Sequence, residues 1–302
     1  MKLTPEMIKQ LSTDIESVLV EKLNWQVQHL SFAANGVINA VFRVKEKELG
    51  EVALRIPWIP RENRMDGEDS SVLSLKKEAM IAQHCYQFGI PVPKIHQVYL
   101  SEDINFLVSD FIHGDEEPIS SFEMGELVAR IHRVPLEGFK LVDQKDSRLS
   151  DIISQRLVSR MHILRTLINE DIHTPASEDI AQILEQSSTG QVLLHLDVRP
   201  PNMIGIKGKI KALFDWDNAF IGDPIMELMR VSESCEIDEQ EFIRGYGDKR
   251  LLETSSLIQA VYRLDTALML TILFTSFVHN PMKKKYYLGR VRTLLQVVRK
   301  HM

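Results

Sequence analysis

Apolar residues along the chain follow two different spacings, and the change comes near residue 115. In the first part, short runs with alternating or β-branched apolar residues predict strands. These runs lie at residues 25–31, 40–45, 51–56, 95–100 and 106–111. Two helices are predicted beside them, one beginning at Thr4 and Pro5 and one over residues 71–88 that ends at Gly89. The polar stretch 57–70 is expected to be a mobile loop.

Beyond this point the apolar residues recur at helical spacing. Ser120 and Glu123 form a capping box that opens a helix running to about His132. Further helices are predicted over residues 147–169, 177–187, 223–233, 238–246, 250–279 and 283–300, and short strands over 192–195, 202–206 and 209–215. A strand-rich first part and a helical second part predict an α+β fold with two lobes, residues 1–110 and residues 115–302, joined by a hinge near 109–114.

The composition narrows the classes of partner. The 302 residues are 44% hydrophobic and 26% charged, which is typical of a globular protein. The net charge of −6 gives no bulk attraction for nucleic acid or for an anionic membrane, so neither partner is expected. The very apolar segment 267–278 is shorter than the roughly 20 residues that a membrane span needs, and we predict a buried core helix there.

The cysteines and the first residues bear on the cellular compartment. Cys85 and Cys235 lie far apart and form no Cys-x-x-Cys motif, which predicts two buried or half-buried thiols in a reducing compartment. Residues 1–6 lack the apolar run of a signal peptide. A cytoplasmic protein is therefore expected, with a monomer and a homodimer both left open.

Oxygen-bearing side chains stand at the ends of three predicted strands. Strand 192–195 ends at His195, a proline-bearing loop with Asp197 follows, and the next strand restarts at Asn202. Asp215 ends the second strand of the hairpin. Mg²⁺ prefers oxygen ligands and keeps phosphate oxygens and waters in its other positions, a role that suits Asn202 and Asp215. Asp197 is then placed to accept the proton of an attacking hydroxyl, so the set predicts phosphoryl transfer to a hydroxyl.

Two segments resemble a known family, the aminoglycoside phosphotransferase and choline-kinase group of the protein-kinase-like fold. His195-Leu196-Asp197 through Asn202 matches that family's His-Gly-Asp-x₄-Asn loop, and Asp215-Trp216 followed by Gly222-Asp223-Pro224 matches its Asp-Trp…Gly-Asp-Pro segment. The resemblance implies a two-lobed fold with a five-stranded antiparallel sheet in the first lobe and a mostly helical second lobe.

The same resemblance implies roles for individual residues. Asp197 is expected to be the catalytic base, and Asn202 and Asp215 are expected to hold Mg²⁺. His195 is expected to hydrogen-bond within the loop rather than act as a base. Asp217 has a supporting or solvent-facing role, with membership of the metal site as the alternative.

The resemblance also implies a nucleotide site in the first lobe. Gly36 lies in the loop that would cover the nucleotide, although an ordinary hairpin turn fits equally well. Arg55 stands where many kinases carry a phosphate-binding lysine, and Glu78 matches the helix glutamate that pairs with that cation; surface roles are the alternatives for both. Backbone groups of Asp110 and Ile112 are expected to bind adenine at the hinge.

The expected function is thus an ATP- and Mg²⁺-dependent phosphotransferase acting on a small hydroxylated molecule. A non-catalytic nucleotide-binding module remains an alternative, as do GTP and acceptors of the choline, homoserine, sugar-amine and macrolide types. A protein kinase is disfavoured, since the chain has no Asp-Phe-Gly and no Ala-Pro-Glu. Two departures from the family pattern, Leu196 for glycine and Arg55 for lysine, leave catalysis and nucleotide affinity open. An acidic cluster in residues 233–241 is favoured to be a solvated helix start over a polycation site.

Overall fold

The computed structural model describes residues 3–36, 39–58, 71–144, 146–187, 189–248 and 253–301. The chain forms two compact units, and neither is continuous in sequence. The first comprises Met1–Glu117 with Met203–Asp217, and the second comprises Pro118–Asn202 with Asn218–Met302. Within the predicted loop 57–70, residues 59–70 lie outside the described part, as do residues 37–38 and the predicted helix start at 250–252.

The first unit is built on an antiparallel sheet of five strands in the order β1-β2-β3-β5-β4. Alternation along the strands places apolar residues on one face, and Leu54 and Ile56 of β3 are buried in the core while Arg55 between them points to the other face. The strands are β1 (Val27–Asn35), β2 (Asn39–Glu46), β3 (Gly50–Pro57), β4 (Ile95–Tyr99) and β5 (Phe106–Asp110). All five predicted strands are confirmed, with ends shifted by a few residues.

Two helices accompany this sheet. Helix α1 (Pro5–Ser17) begins as predicted, because the Thr4 side chain accepts the N–H of Met7 at 3.3 Å and Pro5 occupies the first turn. Its apolar side covers the sheet core through Ile15, and Leu19 in the following π-helical turn does the same. Helix α2 (Ser71–Gln87) ends just before Gly89, whose φ of +69° suits a glycine.

The hairpin of β7 (Met203–Ile206) and β8 (Lys209–Leu213) belongs to the first unit, whereas the sequence assigned it to the second lobe. Backbone contacts explain the difference, since Leu213 N–H donates to Pro91 O at 2.8 Å and Asp115 N–H donates to Gly205 O at 3.0 Å. Gly114 also lies against the hairpin, and a Cβ there would stand 2.6 Å from Ile204 Cγ2. A boundary drawn along the sequence cannot show such pairing between distant segments.

The second unit is mostly helical, as predicted. Its helices are α3 (Ser121–Ile131), α4 (Leu149–Ile168), α5 (Ser177–Leu184), α6 (Pro224–Ser234), α7 (Glu239–Tyr246), α8 (Ser256–Ile272) and α9 (Pro281–Arg299). Helix α3 carries the predicted capping box, with Ser120 Oγ accepting the N–H of Glu123 at 3.2 Å. A short ladder joins β6 (Val192–Leu194) to β9 (Phe220–Gly222). The strand β9 was not predicted, because three residues are too few to show alternation.

One helical segment, Ser256–Phe277, is long and apolar enough to cross a membrane by length and composition alone. In the structure 72% of its most apolar window is buried inside the protein, which accords with the predicted core helix. The thiols differ from expectation in one respect. Cys85 is buried, but Cys235 is exposed, because it follows the last turn of α6 with a left-handed φ of +54°.

Candidate active site

The first unit gathers three of the predicted site residues around a fourth, Arg55. Strand β3 presents Arg55 on the face away from the core, and its guanidinium forms an ion pair with Glu78 of α2. Arg55 Nη2 also lies 2.9 Å from Asp215 Oδ1 and 3.0 Å from Asp217 Oδ2. The surface alternatives for Arg55 and Glu78 are thereby wrong, since their side chains are only 13% and 7% exposed.

These contacts determine the direction in which the pKa of Arg55 is shifted. Burial by itself would lower the pKa of Arg55, but the charges of Asp217 and Asp215 outweigh it and raise that pKa above its ordinary value. Asp215 reaches the arginine from a left-handed backbone conformation with φ of +66°, directly after β8. A short polar side chain adopts this conformation more readily than an apolar one, which suits an aspartate here.

Asp217 is held by residues from three directions, and its side chain is 19% exposed. Ser74 of α2 donates a hydrogen bond to its carboxylate, and Lys77 Nζ donates to its backbone oxygen at 3.0 Å. Arg55 Nη2 lies 3.0 Å from Asp217 Oδ2, and the side-chain oxygen of Asn39, at the start of β2, accepts from that same Nη2 at 2.6 Å. The structure therefore gives Asp217 a supporting position inside the group, rather than a solvent-facing one.

The donor set of this group fits a hard cation. One carboxylate oxygen from each of Glu78, Asp215 and Asp217 lies within 4.8 Å of the others. Three carboxylates exceed the positive charge of Arg55, and carboxylate oxygens are the ligands that Mg²⁺ prefers. The site can thus combine a phosphate-binding cation with metal-binding carboxylates.

The second unit carries the predicted catalytic loop. His195 follows β6, is fully buried, and its Nδ1 accepts the N–H of Asp197 at 3.1 Å. Asn202 Nδ2 donates to Asp197 Oδ2 at 2.6 Å and to Asp197 O at 2.9 Å. His195 therefore shapes the backbone of the loop, while Asn202 orients the carboxylate of Asp197.

A second contact to Asp197 was not foreseen from the sequence. Arg199 Nε lies 3.2 Å from Asp197 Oδ1, and Arg199 Nη1 lies 3.9 Å from Glu236 Oε2. In the sequence, the signal for this contact is Arg199, a cation two residues after the predicted base Asp197. It places a positive charge beside the group that would take up the proton.

Glu227 is the functional residue that the sequence reasoning missed. Its carboxylate, 1% exposed, accepts the N–H of His195 at 2.7 Å and the N–H of Leu196 at 2.6 Å. Burial by itself would raise the pKa of Glu227, but hydrogen bonding and charge from His132, and the charge and backbone N–H of His195, hold that pKa below its ordinary value. The signal was an acidic residue in the first turn of α6, just after the Gly-Asp-Pro segment.

Leu196 replaces the family's glycine at a position where the backbone explains the family preference. Its φ is +59°, a left-handed conformation that glycine adopts at no steric cost. The Leu196 side chain is 2% exposed, so its burial offsets part of that cost. The substitution leaves the loop's hydrogen bonds to Glu227 in place.

The hinge residues 109–114 are all described, whereas the loop at Gly36 is described only in part. The N–H of Asp110 donates to Lys94 O at 3.0 Å, and its carboxylate lies 2.7 Å from His96 Nε2. The hinge prediction therefore applies to the carbonyl oxygen of Asp110 and the backbone of Ile112. Gly36 N–H donates to Asn39 O at 2.8 Å, and the rest of that loop, residues 37–38, lies outside the described residues.

The acidic residues of the cluster at 233–241 form ion pairs or cap a helix within the second unit. Glu233 lies 2.7 Å from Arg290 Nε, and Asp238 caps α7 by accepting the N–H of Glu241 at 3.0 Å. Glu236, Glu239 and Glu241 each have a cationic partner, Lys283, Arg263 and Arg244 respectively. The cluster is a capped helix start with ion pairs, and its negative charge is largely compensated.

Comparison with known proteins identifies the family and the fold of the chain. Residues 29–258 match the model of the phosphotransferase enzyme family (APH). No curated protein sequence matches the chain.

Three solved structures share the fold at low identity. Aminoglycoside phosphotransferase APH(4)-Ia matches with a TM-score of 0.67 and 17% identity, over 94% of this chain and 98% of its own. The putative fructosamine-3-kinase of Haemophilus somnus 129PT matches with 0.66 and 16%, over 96% and 99%. The ethanolamine kinase of Plasmodium vivax matches with 0.63 and 14%, over 97% and 90%. The chain therefore belongs to the phosphotransferase enzyme family, and it has a protein-kinase-like fold.

Proposed function

We propose that the chain transfers the γ-phosphoryl group of ATP, with Mg²⁺, to a hydroxyl of a small molecule. The observation that carries the proposal is the group around Arg55, which pairs with Glu78 and lies 2.9 Å from Asp215. A phosphate-binding cation beside metal-binding carboxylates is the combination that phosphoryl transfer needs. Solved relatives of the same fold have been crystallised with AMP-PNP or ADP, which supports a nucleotide as the donor.

In this proposal Asp197 is the proton acceptor. The acceptor hydroxyl attacks the γ-phosphorus, the new O–P bond forms as the bond to the leaving ADP oxygen breaks, and the hydroxyl proton passes to Asp197. Asn202 Nδ2, 2.6 Å from Asp197 Oδ2, keeps the carboxylate oriented. Asn202 and Asp215 would hold Mg²⁺ through side-chain oxygens, and the metal when bound neutralises charge on the phosphate oxygens.

The Asp197 assignment is tested by exchanging the carboxylate for an amide. We expect Asp197→Asn to lower kcat by at least about 10²-fold, since general-base catalysis contributes on the order of 10²–10⁴. The affinity for Mg·ATP should survive, because Asp197 is not proposed to touch the nucleotide. The measurement is Mg²⁺-dependent ADP release over a panel of hydroxylated metabolites and antibiotics, with the exposed Asp146→Asn as control.

Asp215→Ala gives the complementary result. It removes a proposed metal ligand and a partner of Arg55, so Mg·ATP binding should weaken together with turnover. Near-normal turnover by Asp197→Asn would show that the base is another group. Clear Mg·ATP binding without turnover of any acceptor would favour the non-catalytic module instead.

A further inference from the structure

The helical unit places two buried arginines and one half-buried arginine with one buried aspartate. Arg156 and Arg160 come from α4, Arg230 from α6, and Asp265 from α8. Asp265 is 1% exposed and binds two of the arginines, with Arg156 Nη2 at 2.8 Å from its Oδ2 and Arg160 Nη1 at 2.9 Å from its Oδ1. Three positive charges against one negative charge leave the cluster with a net positive charge.

Among the described residues, Arg230 has no carboxylate as ion-pair partner. The one hydrogen-bond contact that it makes with them runs from Nη2 to Met269 Sδ at 3.8 Å, and thioether sulfur is a weak acceptor. In the described part of the chain it forms no ion pair, although it is only 8% exposed. Burial lowers the pKa of Arg230, and the charge of Asp197 is the main opposing influence. A buried guanidinium is costly unless an anion compensates it.

Nearby buried carboxylates have other partners. Glu227, one turn before Arg230 on α6, accepts the two backbone N–H groups of the catalytic loop. Glu233, one turn after it, pairs with Arg290 and Arg263. Asp223 accepts hydrogen bonds from Ser187, Tyr262 and the N–H of Ile225. None of them serves as the counter-ion of Arg230.

The cluster reaches solvent through Arg156, and α6 ties it to the loop of the proposed base, since Glu227, one turn before Arg230, accepts the N–H of Leu196 beside Asp197. The side chain of Arg156 keeps 21% of its surface exposed and stacks over Phe220, with its guanidinium carbon 5.6 Å from the ring centroid. Asp197, whose charge acts on Arg230, is the residue proposed to receive the acceptor's proton. An anionic group held at this cluster would thus belong to the molecule whose hydroxyl meets Asp197.

We propose that the acceptor carries an oxyanion, a carboxylate or a phosphate, that binds Arg230 with Arg156 beside it. The inference rests on the proposed function, since it assumes that Asp197 is the base. It makes acceptors that carry only positive charge, such as aminoglycosides or choline, poor substrates, because their ammonium groups would meet a net positive cluster. The acidic cluster of residues 233–241 offers them little compensation, since its members are already paired or capping.

The inference is tested with acceptors in matched pairs. Each pair holds the hydroxyl constant and varies only the anion: a hydroxy acid against its methyl ester, and a sugar phosphate against the free sugar. We expect the anionic member of the productive pair to have a kcat/KM about tenfold or more higher, the size expected for a charge-assisted hydrogen bond. The two kinds of pair distinguish a carboxylate from a phosphate.

The Arg230→Met substitution removes the positive charge of the side chain and keeps most of the side chain's length. We expect the preference for the anionic member to disappear in this variant, while the KM for ATP stays unchanged and the melting temperature is equal or higher. Arg292→Met, at an exposed position of α9, should keep the preference. If Arg230→Met does not fold, Arg230→Gln replaces it with the same expectation. Equal use of both members by the wild type, or loss of folding and ATP binding in both variants, would make Arg230 a structural residue and overturn the inference.

A binding measurement separates this inference from the proposed function. If no acceptor turns over, the melting temperature is measured with Mg·ADP present, in sulfate and in chloride at equal ionic strength. Stabilisation by sulfate in the wild type and not in Arg230→Met would support the anion site even though catalysis failed. No stabilisation by sulfate, with no anion preference in turnover, contradicts the anion site.

Discussion

At the scale of single residues, Glu227 supports the catalytic loop through hydrogen bonds to its backbone. One carboxylate accepts two consecutive backbone N–H groups, at 2.7 Å and 2.6 Å, and His132 Nε2 lies 3.4 Å from the same side chain. Backbone N–H groups are obligatory donors, and buried ones without an acceptor are costly. The loop that presents Asp197 therefore depends on a residue that does not touch the reacting groups.

Glu227→Gln should destabilise the protein by about 1–3 kcal/mol at pH 7, because the amide can accept one N–H and directs its own N–H₂ against the other. Urea unfolding of both proteins measures the difference. The exposed Glu170→Gln serves as control and should change stability by less than about 0.5 kcal/mol. A Glu227→Gln protein as stable as the wild type would show that the loop does not need this acceptor.

The stability difference between the wild type and Glu227→Gln is expected to depend on pH. The pKa of Glu227 is lower in the folded protein than in the unfolded chain, where it is about 4.3. Its contribution is therefore complete above that value and is lost as the pH falls through the lower folded value. The stability difference between wild type and Glu227→Gln should stay constant from pH 5 to 8 and shrink at more acidic pH, in urea unfolding at each pH.

Leu196 shows how two residue-scale effects offset each other. A left-handed conformation costs a residue with a Cβ roughly 1–2 kcal/mol. Complete burial of a leucine side chain contributes roughly 1.5–3 kcal/mol, and Leu196 is 2% exposed. The two magnitudes are similar, which explains how a leucine occupies a position where the family pattern has glycine.

At the scale of elements, α3 and α7 of the second unit approach unusually closely. A Cβ at Gly125 would stand 2.0 Å from Phe242 O, and a Cβ at Gly245 would stand 2.0 Å from Phe122 O. Both obstacles are backbone atoms, so a side chain cannot be accommodated by a change of rotamer. Each helix thus supplies the glycine that lets the other approach.

Gly125→Ala should force these helices apart and cost at least about 1–3 kcal/mol, in the range of overpacked cores. Gly289→Ala is the matched control, because it lies inside α9 with nothing within 4 Å of the added Cβ. There alanine should be neutral or stabilising by up to about 1 kcal/mol, from helix propensity alone. Thermal unfolding of the two variants compares the effects, and equal melting temperatures would contradict the close packing of α3 on α7.

At the scale of the whole molecule, nucleotide and metal should stabilise the folded protein together. A ligand at 100 times its Kd adds about 2.7 kcal/mol to the free energy of unfolding. For a chain of this size that corresponds to a rise in melting temperature of roughly 4 °C. We expect this rise with Mg²⁺ and ATP, and a clearly smaller one with ATP and a chelator.

A chelator alone is the control for that measurement. Because the proposed metal site includes phosphate oxygens of the nucleotide, removing Mg²⁺ from the free protein should leave the melting temperature unchanged. Asp215→Ala should show a reduced rise with Mg²⁺ and ATP. A full rise in that variant would remove Asp215 from the proposed metal site.

The local elements and the polar residues at their ends were predictable from spacing along the chain. The five strands of the sheet and nearly all helices follow from apolar spacing and from caps such as Thr4, Ser120 and Gly89, which act within a few residues. The short strand β9 and the placement of the hairpin β7–β8 did not follow, because both depend on partners far along the chain. The loop from His195 to Asn202 was legible because its residues lie close in sequence.

Which distant residues meet follows from the packing of the elements. Packing joins Arg55 to Asp215 and to Glu78, places Glu227 against the catalytic loop, and buries Arg230 with no carboxylate partner in the described part of the chain. The spacing of residues along the chain does not predict these contacts, because ion pairing and burial depend on how the elements pack. The reaction class was thus readable from short segments, whereas the support of the loop and the arginine cluster of α4 and α6 emerged only when the helices packed together.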